Sequence, residues 1–418
     1  MLCYGGLNKS LSPSMKLLTA TALLVTFSTA AIAGDWPQWR GPNRDGVSTE
    51  KDLLDAWPEG GPKLLWKAQG LGIGYSSVSI TGGRIYTMGD GEKTSHVYCL
   101  DPKDGTIIWT SKPIGKTGGN YEGTRCTPTF DEGLLFALGQ FGDLVCLKAD
   151  NGEEVWRKNL VADFGGQPGG WNYSESPLVD EGKVLVTPGG KQGAVVTLDK
   201  KTGDLVWQSK EFTDDAQYSS LIAREFGGKR QYVQFTLASV VGIEASTGKL
   251  LWKTPRKGRT AVVSTPIFHE GQVFVSSAYG VGCNGFKVSH SDGSFSVEEI
   301  YADKTISNHH GGCIRVGDYV YGSSSTTLVC MELKTGERKW RARSAGKGSI
   351  LIVDDKIILR AEKGTVVLLE LTPEAYVEIS KFEQPDRSKA KAWSHPVVSD
   401  GILYLKDQGL LLAYDLRK

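Results

Sequence analysis

The chain has 418 residues, with 48 lysines and arginines against 47 aspartates and glutamates, so its formal net charge is +1. A balance this close to neutral gives no basic footprint, and we therefore expect no nucleic-acid partner. Stretches with apolar residues at helical spacing are scarce, which favours one large all-β domain.

A targeting segment is predicted at the N-terminus. A basic start is followed by an apolar run that ends in the AIA motif at 31–33, the pattern of a secretory signal peptide. The run is short for a membrane span of about 20 residues, which makes an uncleaved anchor the weaker alternative. A lipoprotein cysteine would directly follow the apolar run, whereas Cys3 lies before it. We therefore expect no lipobox. We expect residues 1–33 to be a leader cleaved after Ala33 and the mature chain to be periplasmic or secreted, without a transmembrane span.

An arm rich in Trp, Pro and Gly follows the leader, over residues 34–60. Its core, DWPQWRGP at 35–42, has too many proline and glycine residues for a regular element. Two tryptophans within four positions are expected to pack the arm onto the domain that follows. A cap over that domain is the alternative interpretation.

The rest of the chain repeats one pattern, a turn with glycine at a fixed offset and then a short apolar strand that ends in Trp. Glycine tolerates positive φ, and Asx and Thr side chains bond the turn backbone, so each copy predicts a hairpin closing on a left-handed glycine. Five full copies are present, at 101–109, 148–156, 199–207, 244–252 and 332–340.

The spacing of the copies predicts the architecture. Successive copies lie roughly 45–50 residues apart with several short strands each, which is typical of a β-propeller. Two degraded copies, at 264–300 and 349–379, and a last unit at 394–416 raise the count to eight blades. The last unit lacks its fourth strand, and the strand at about 62–68 has no blade of its own. We therefore predict an all-β, eight-bladed propeller of four-stranded blades over 61–418, closed when this N-terminal strand completes the C-terminal blade and removes an exposed edge.

Six cysteines follow the leader, and five of them recur at two equivalent repeat positions in different blades. Residues so placed are not expected to face one another, so we predict small buried free thiols rather than disulfides. The sequence has no CxxC pair, which disfavours a zinc site. These residues are Cys99, Cys126, Cys146, Cys283, Cys313 and Cys330.

The repeat, with its LDxKTGxxxW core and Ser-Pro start, resembles the pyrroloquinoline-quinone (PQQ) repeat family of eight-bladed propellers over about 62–418. The family includes PQQ-dependent quinoprotein alcohol dehydrogenases and non-catalytic proteins, among them the propeller lipoprotein of the outer-membrane barrel assembly machine. Resemblance implies that the family tryptophans dock each blade on its neighbour, and the corresponding residues are Trp66, Trp109, Trp156, Trp207, Trp252 and Trp340. The dehydrogenases also carry a Cys-Cys disulfide and a Ca²⁺ held by Glu, Asn and Asp; this sequence has no Cys-Cys dipeptide.

A ligand site is predicted at the channel mouth, where loops entering the first strand of each blade are rich in aromatic and polar residues. Asn172 and Glu175 would supply oxygen ligands if Ca²⁺ binds, and the aromatic faces would stack a sugar or a quinone. The predicted residues are Tyr75, Tyr121, Glu122, Arg125, Trp171, Asn172, Glu175, Tyr218, Arg259, His309, His310, Lys347, Trp393 and His395.

Structural alternatives stay open for several of these residues. His309 and His310 could bond only the loop backbone, Glu122 and Arg125 could pair with each other, and Trp393 could pack beneath His395. Scans for a phosphate-binding loop, a HExxH motif and a GxSxG nucleophile elbow are negative.

The function favoured at this point is an exported, monomeric propeller that acts as a scaffold for a small ligand or an envelope protein, without catalysis. The alternative is a dehydrogenase that uses PQQ and Ca²⁺ at a mouth around Trp171, Asn172, Glu175 and Arg259. A carbohydrate-binding propeller is the weaker third candidate.

Overall fold

The computed structural model describes residues 34–418, and strands dominate this range. The predicted leader, 1–33, lies outside the described residues. The one α-helix in the described range is short: α1 (Leu160–Phe164) begins after Asn159, whose side chain accepts hydrogen bonds from the amides of Val161 and Ala162. No helix within 34–418 is long and apolar enough to cross a membrane.

The strands form eight antiparallel four-stranded sheets, one for each predicted blade. The chain starts with β1 (Lys63–Ala68). Blade 1 contains β2 (Ser79–Thr81), β3 (Arg84–Asp90), β4 (Ser95–Leu100) and β5 (Ile107–Thr110). Blade 2 contains β6 (Thr129–Asp131), β7 (Leu134–Leu138), β8 (Asp143–Lys148) and β9 (Glu154–Asn159). Blade 3 contains β10 (Leu178–Asp180), β11 (Lys183–Val186), β12 (Val196–Asp199) and β13 (Leu205–Gln208). Blade 4 contains β14 (Ile222–Phe226), β15 (Lys229–Phe235), β16 (Ser239–Glu244) and β17 (Leu250–Pro255).

The second half of the ring follows the same plan. Blade 5 contains β18 (Ile267–His269), β19 (Gln272–Ser277), β20 (Gly282–Ser291) and β21 (Ser294–Asp303). Blade 6 contains β22 (Cys313–Val316), β23 (Tyr319–Ser324), β24 (Thr327–Glu332) and β25 (Arg338–Arg343). Blade 7 contains β26 (Gly348–Val353), β27 (Lys356–Ala361), β28 (Thr365–Glu370) and β29 (Glu378–Glu383). Blade 8 contains β30 (Val397–Ser399), β31 (Ile402–Asp407) and β32 (Leu410–Asp415).

The ring closes as predicted. β1 pairs antiparallel with β32, with Lys63 opposite Asp415 and Ala68 opposite Leu411, and supplies the fourth strand of blade 8. This pairing leaves no blade with three strands. The prediction of an eight-bladed, all-β propeller is confirmed.

The repeated turn explains how neighbouring blades dock. Asp199 accepts hydrogen bonds from the amides of Lys201 (2.8 Å) and Thr202 (2.9 Å), and Gly203 closes the turn at φ 74°. A Cβ on Gly203 would lie 2.8 Å from the ring of Trp156, which belongs to the preceding blade. The indole nitrogens of Trp66, Trp109, Trp156, Trp207 and Trp340 each donate to a backbone carbonyl of the next blade.

Trp252 departs from this arrangement. Its indole donates to Gln231 of its own blade (2.6 Å), because the next blade lacks a copy of the turn and continues instead as the long hairpin of β20 and β21. Tyr301 takes the Trp position in that degraded blade, donating to the Leu333 carbonyl (2.8 Å) with its ring against Gly336. The aromatic anchor therefore persists where the sequence repeat is lost.

The core lies between the blades. Clusters of buried apolar side chains run from one sheet to the next, because the middle strands are packed on both faces. The fourth strands are the most exposed, as β5 illustrates. The six cysteines after the leader are all buried and free, as predicted.

The arm closes one end of the central channel. Backbone pairing holds Trp36 to Ile80, with nitrogen–oxygen distances of 2.7 and 2.8 Å. The arm then contacts the first strand, or the loop leading into it, in all eight blades: Trp36 with Ile80, Pro37 with Phe130, Arg44 with Ser176 and Pro177, Asn43 with Arg224, Trp39 with Thr265, Arg40 with Cys313, Gly46 with Ile352, and Trp39 with His395. We call residues 36–46 the plug.

Candidate functional site

The loops that enter the first strands converge at the end of the channel opposite the plug. They enclose a cavity of about 430 Å³, a volume suited to a small ligand. Nine predicted residues line it: Tyr75, Tyr121, Arg125, Trp171, Tyr218, His309, His310, Lys347 and Trp393. The lining residues that the sequence analysis did not select are Trp39, Ser174, Ser176, Ser220, Ala261, Val263, Tyr279, Glu362 and Lys391.

Aromatic rings form a continuous wall around Trp393. The centroid of the Trp393 ring lies 4.8 Å from that of Tyr75 and 5.3 Å from that of Tyr121. Trp171 continues the wall, 6.4 Å from Tyr121 and 6.0 Å from Tyr218. The rings meet at tilted or edge-on angles, the geometry that aromatic pairs prefer. Trp393 therefore faces the ligand space rather than packing beneath His395.

The floor of the cavity comes from the plug. The Trp39 ring lies 4.4 Å from the ring of His395, and its indole donates to Oγ1 of Thr265 (3.1 Å). His395 is buried below the cavity, with Nε2 3.0 Å from the carbonyl of His310. Burial lowers the pKa of His395 to about 3, with the Arg40 guanidinium acting in the same direction, so the ring is neutral at physiological pH.

His309 and His310 are also neutral. Burial, with the nearby Lys347 ammonium, lowers the pKa of His309 to about 4, and burial holds the pKa of His310 well below its usual value. The Lys347 ammonium lies 3.2 Å from Nδ1 of His309, and because it can only donate, Nδ1 accepts. Nε2 therefore carries the proton and donates to the Tyr279 hydroxyl (2.9 Å). His309 thus bonds side chains, not the loop backbone alone.

The charged groups of the lining are three cations and one carboxylate. Glu362 lies within 3.3 Å of Lys347 and 3.4 Å of Lys391, and it accepts from the Trp393 indole (3.1 Å). Arg125 has no such carboxylate: its hydrogen bonds within 34–418 go to the carbonyls of Trp171, Asn120 and Tyr121. The ion pair with Glu122, left open as an alternative, does not form, because the guanidinium bonds carbonyls of its own loop and of the loop that carries Trp171. The lining is therefore net positive.

The residues expected to hold Ca²⁺ are not brought together. Glu175 is buried, and its carboxylate accepts from the backbone amide (2.7 Å) and hydroxyl (3.1 Å) of Thr187. Burial raises the pKa of Glu175 to about 7. The Asn172 amide instead lies beside Gly119. Within the described part of the chain, no group of three His, Cys, Asp or Glu residues is placed to hold a metal. These residues do not fit a calcium-held quinone.

Five of the fourteen predicted residues do not line the cavity. Four of them lie close to lining residues in the sequence, and His395 lies beneath the cavity. Glu122 and Arg259 are exposed, Asn172 is half-buried on a turn at φ 63°, and Glu175 is buried in the wall. The alternation of side chains explains Glu175, since Ser174 and Ser176 on either side of it line the cavity.

Two of the missed residues come from segments that the sequence analysis did not expect at the mouth. Tyr279 follows the second strand of blade 5, and Glu362 follows the second strand of blade 7. A turn after a second strand lies at the same end as the loop entering a first strand, because the strands alternate in direction. This alternation of strand direction is the signal from which Tyr279 and Glu362 could have been predicted. Nothing in the local sequence marks Trp39 as a lining residue.

Comparison with known proteins places the chain among propellers of two kinds. A family model described as outer membrane protein assembly factor BamB matches residues 93–342. The BamB of Moranella endobia is 22% identical over 285 residues, which are 61% of this chain and 67% of that protein. A quinohemoprotein alcohol dehydrogenase of Comamonas testosteroni is 29% identical over 143 residues, covering 29% of this chain and only 19% of the dehydrogenase.

Solved structures of both kinds share the fold. The crystal structure of BamB from Moraxella catarrhalis superposes with a TM-score of 0.61 at 15% identity, covering 84% of this chain and 97% of that one. The quinohemoprotein alcohol dehydrogenase of Comamonas testosteroni gives a TM-score of 0.60 at 14% identity, covering 94% of this chain and 82% of that one. At these identities the likeness concerns the fold alone.

Proposed function

The chain belongs to the PQQ_2 family, described as outer membrane protein assembly factor BamB, and from that premise we propose that it is an exported binding propeller. Its channel mouth takes up a small, planar, negatively charged ligand and carries out no reaction on it. The observation that carries the proposal is the aromatic wall around Trp393 combined with an excess of positive charge in the lining.

The wall suits a flat ligand. Offset or edge-on contacts with aromatic rings contribute about 0.5–1.5 kcal/mol each beyond the area they bury. Trp393, Tyr121 and Trp171 offer such contacts around one cavity, and Trp39 limits its depth. A planar ring system would keep several of these contacts at once.

The charges select an anion. Arg125 is half-buried and forms no hydrogen bond or ion pair with a carboxylate within the described chain, which leaves its positive charge available to a ligand. A unit negative charge about 4 Å away would gain about 4 kcal/mol at an effective dielectric constant of 20, before its own desolvation is counted. Lys347 and Lys391 share the single carboxylate of Glu362, which leaves further positive charge for the ligand.

Binding without catalysis agrees with how the polar groups are committed. The two ring nitrogens of His309 are occupied by Tyr279 and Lys347, and Glu362 is held by two ammonium groups and an indole. No carboxylate of the lining is thus free to serve as a general base at neutral pH. A dehydrogenase activity like that named for the Comamonas testosteroni relative is the competing function.

The test is a titration of the chain from Gly34 onward, followed by quenching of tryptophan fluorescence. PQQ serves as the probe because it is a planar quinone with several carboxylates. We expect saturable quenching of equal affinity in Ca²⁺ and in EDTA, weakened about tenfold by Lys347→Gln. The matched control is Lys287→Gln, on an exposed position of β20.

Two outcomes would overturn the proposal. Calcium-dependent quenching together with alcohol-dependent reduction of a dye would establish the dehydrogenase function instead. Quenching by neutral oligosaccharides but not by PQQ would establish a carbohydrate-binding propeller.

A second candidate, binding of an envelope protein, is favoured by the outer rim. The fourth strands of four consecutive blades, 8, 1, 2 and 3, expose apolar side chains: Leu64, Ile107, Ile108, Val155, Leu205 and Val206. Contiguous exposed apolar residues mark interaction surfaces. Crosslinking to one specific envelope protein, lost in Leu205→Asp but kept in the mouth variant Lys347→Gln, would support this function; crosslinking unaffected by Leu205→Asp would remove it.

A further inference from the structure

A second cavity, of about 660 Å³, lies at the plugged end of the channel. The plug forms one side of it, and the first strands and first turns of blades 4, 5 and 6 form the other. It shares no lining residue with the mouth. None of the motifs in the sequence pointed to it.

Four arginines surround this cavity. Arg40 and Arg44 come from the plug and are 4% and 3% exposed, while Arg224 lies on β14 and Arg315 on β22. Within 34–418, the hydrogen bonds of all four go to backbone carbonyls, apart from one from Arg44 to the side-chain amide of Gln38 (3.0 Å). None of these arginines pairs with a carboxylate of the described chain.

Some buried hydrogen-bond donors of the plug arginines are unpaired. Nε and Nη1 of Arg40 and Nε of Arg44 have no hydrogen-bond partner in the described chain. An unpaired buried donor costs about 1–3 kcal/mol, and more when it is charged. Nη1 of Arg40 is turned toward Gly312, so a bound anion would offset the buried charge of these guanidinium groups rather than pair with each of these donors.

The carboxylates of the lining do not neutralise the arginines. Glu225 is turned to Arg230, outside the cavity, at 3.1 Å, and Glu270 lies 3.9 Å from His269. Asp45 remains, accepting from the backbone amide of Val47 (3.0 Å). Burial lowers the pKa of His269, so this ring does not neutralise Glu270. Asp45 and Glu270 thus stand against four guanidinium groups.

The guanidinium groups are close enough to influence one another. Burial lowers the pKa of Arg44 to about 10; the Glu175 carboxylate opposes this shift, and the charges of Arg224 and Arg40 reinforce it. Burial likewise lowers the pKa of Arg224, where Asp45 opposes it and Arg315 reinforces it. The four groups therefore share one local field in which a negative charge is favoured.

We propose that this cavity binds a phosphate-type dianion, as inorganic phosphate or as the terminal group of a phosphomonoester. The planar fork of arginine matches phosphate oxygens in pairs, which an ammonium does not. Bound there, the anion would join Arg40 and Arg44 of the plug to Arg224 and Arg315 of the blades. The ligand would thus fasten the arm to the ring at the closed end of the channel.

The test measures the melting temperature and calorimetric binding of the chain from Gly34 onward with inorganic phosphate. The reference is potassium chloride at equal ionic strength. We expect phosphate at about 100 times its Kd to raise Tm by a few degrees relative to chloride. Phenyl phosphate distinguishes the sources: comparable affinity indicates a site open to phosphomonoesters, and exclusion of phenyl phosphate indicates the free ion.

The variants are chosen to keep the fold. Arg224→Gln and Arg315→Gln alter half-buried side chains of the blades, and each is expected to weaken phosphate binding about tenfold. Arg343→Gln, on an exposed position of β25, is the matched control and should bind phosphate normally. Fluorescence quenching by PQQ at the mouth should remain unchanged in all three variants. The phosphate proposal and the proposed function can therefore fail independently of each other.

Three results would overturn the assignment. These are an equal Tm rise in chloride, phosphate binding that survives both Arg224→Gln and Arg315→Gln, and tighter binding of succinate than of phosphate. Tighter binding of succinate would mean that the cavity is an anion site for carboxylates rather than for phosphates.

Discussion

The two ends of the channel are made by the same eight blades but are built differently. At the plugged end, the turns after the first strands are short, and five of the turns after the third strands follow the repeat closely. At the mouth, several connections are long and irregular, as between β5 and β6, where residues 111–128 intervene. The comparison teaches that the repeat determines one end, whereas departures from it supply the aromatic and charged groups of the other.

The largest expected effect contrasts a tryptophan at each end. Trp36 is buried in the plug, and Trp36→Ala should lower the free energy of unfolding by about 3–5 kcal/mol. Trp171 is half-buried at the mouth. Trp171→Ala should therefore lower the free energy of unfolding by less than half of that amount. Urea unfolding followed by circular dichroism measures both. Equal losses would contradict the view that the plugged end is structural and the mouth is free to serve a ligand.

The next effect concerns the regular turns. Gly203 (φ 74°) and Gly133 (φ 81°) both have left-handed backbone, where a side chain costs about 1–2 kcal/mol. A Cβ at Gly203 would also strike the Trp156 ring, whereas one at Gly133 meets no atom within 4 Å. Gly203→Ala should therefore destabilise the protein by about 1 kcal/mol more than Gly133→Ala in the same unfolding assay. If both variants lose the same stability, the turn does not dock the blades.

A third prediction concerns a lysine buried near the mouth. Lys406 is fully buried at the end of β31, its ammonium has no hydrogen-bond partner in the described chain, and burial lowers its pKa to about 7. Asp407 and Asp90 oppose that shift, and the Arg360 guanidinium reinforces it. Between pH 7 and about 10.5 the unfolded chain holds this proton while the folded protein releases it, so stability rises with pH.

The measurement compares wild type with Lys406→Met at pH 7 and pH 9. Relative to the variant, the wild type should gain about 2 kcal/mol of unfolding free energy over this interval. Other titrating groups, Glu175 among them, are common to both proteins and cancel in the difference. A difference that does not change with pH would mean that Lys406 keeps an ordinary pKa.

The sequence was sufficient for the ring because each blade repeats the same local chemistry. The turn around Gly203 and the unpaired strand β1 together predicted the blade count and the closure. Tyr301 could not be assigned in the same way, because it replaces the repeat tryptophan in a blade without the repeated turn. The fold survives such a substitution, since another aromatic ring fills the same space.

The mouth was predictable in composition but not in detail. Aromatic loops pointed to the end that holds the cavity, yet selecting Glu175 ignored the alternation that turns Ser174 and Ser176 to the cavity. Trp39 could not be placed, because its position depends on contacts with Thr265 and His395, far away in the chain. Such long-range contacts leave no local pattern in the sequence.

The smallest expected effect tests whether the two ends act independently. Trp39 lines the mouth, Thr265 lines the arginine cavity, and the hydrogen bond between them joins the two. Thr265→Val removes the acceptor and should cost about 1 kcal/mol of unfolding free energy. It should leave quenching by PQQ at the mouth within twofold of the wild type, since the ring remains in place.

Trp39→Phe removes the same hydrogen bond but also shortens the ring that forms the floor. Its stability should match that of Thr265→Val, while its affinity for PQQ should fall several-fold, because part of the stacking surface is lost. If Trp39→Phe binds PQQ more weakly than Thr265→Val while the two variants have the same free energy of unfolding, the plug contributes to the mouth through the area of the Trp39 ring alone. An equal loss of affinity in both variants would instead show that the hydrogen bond couples the two cavities, and a ligand at the closed end would then influence binding at the open one.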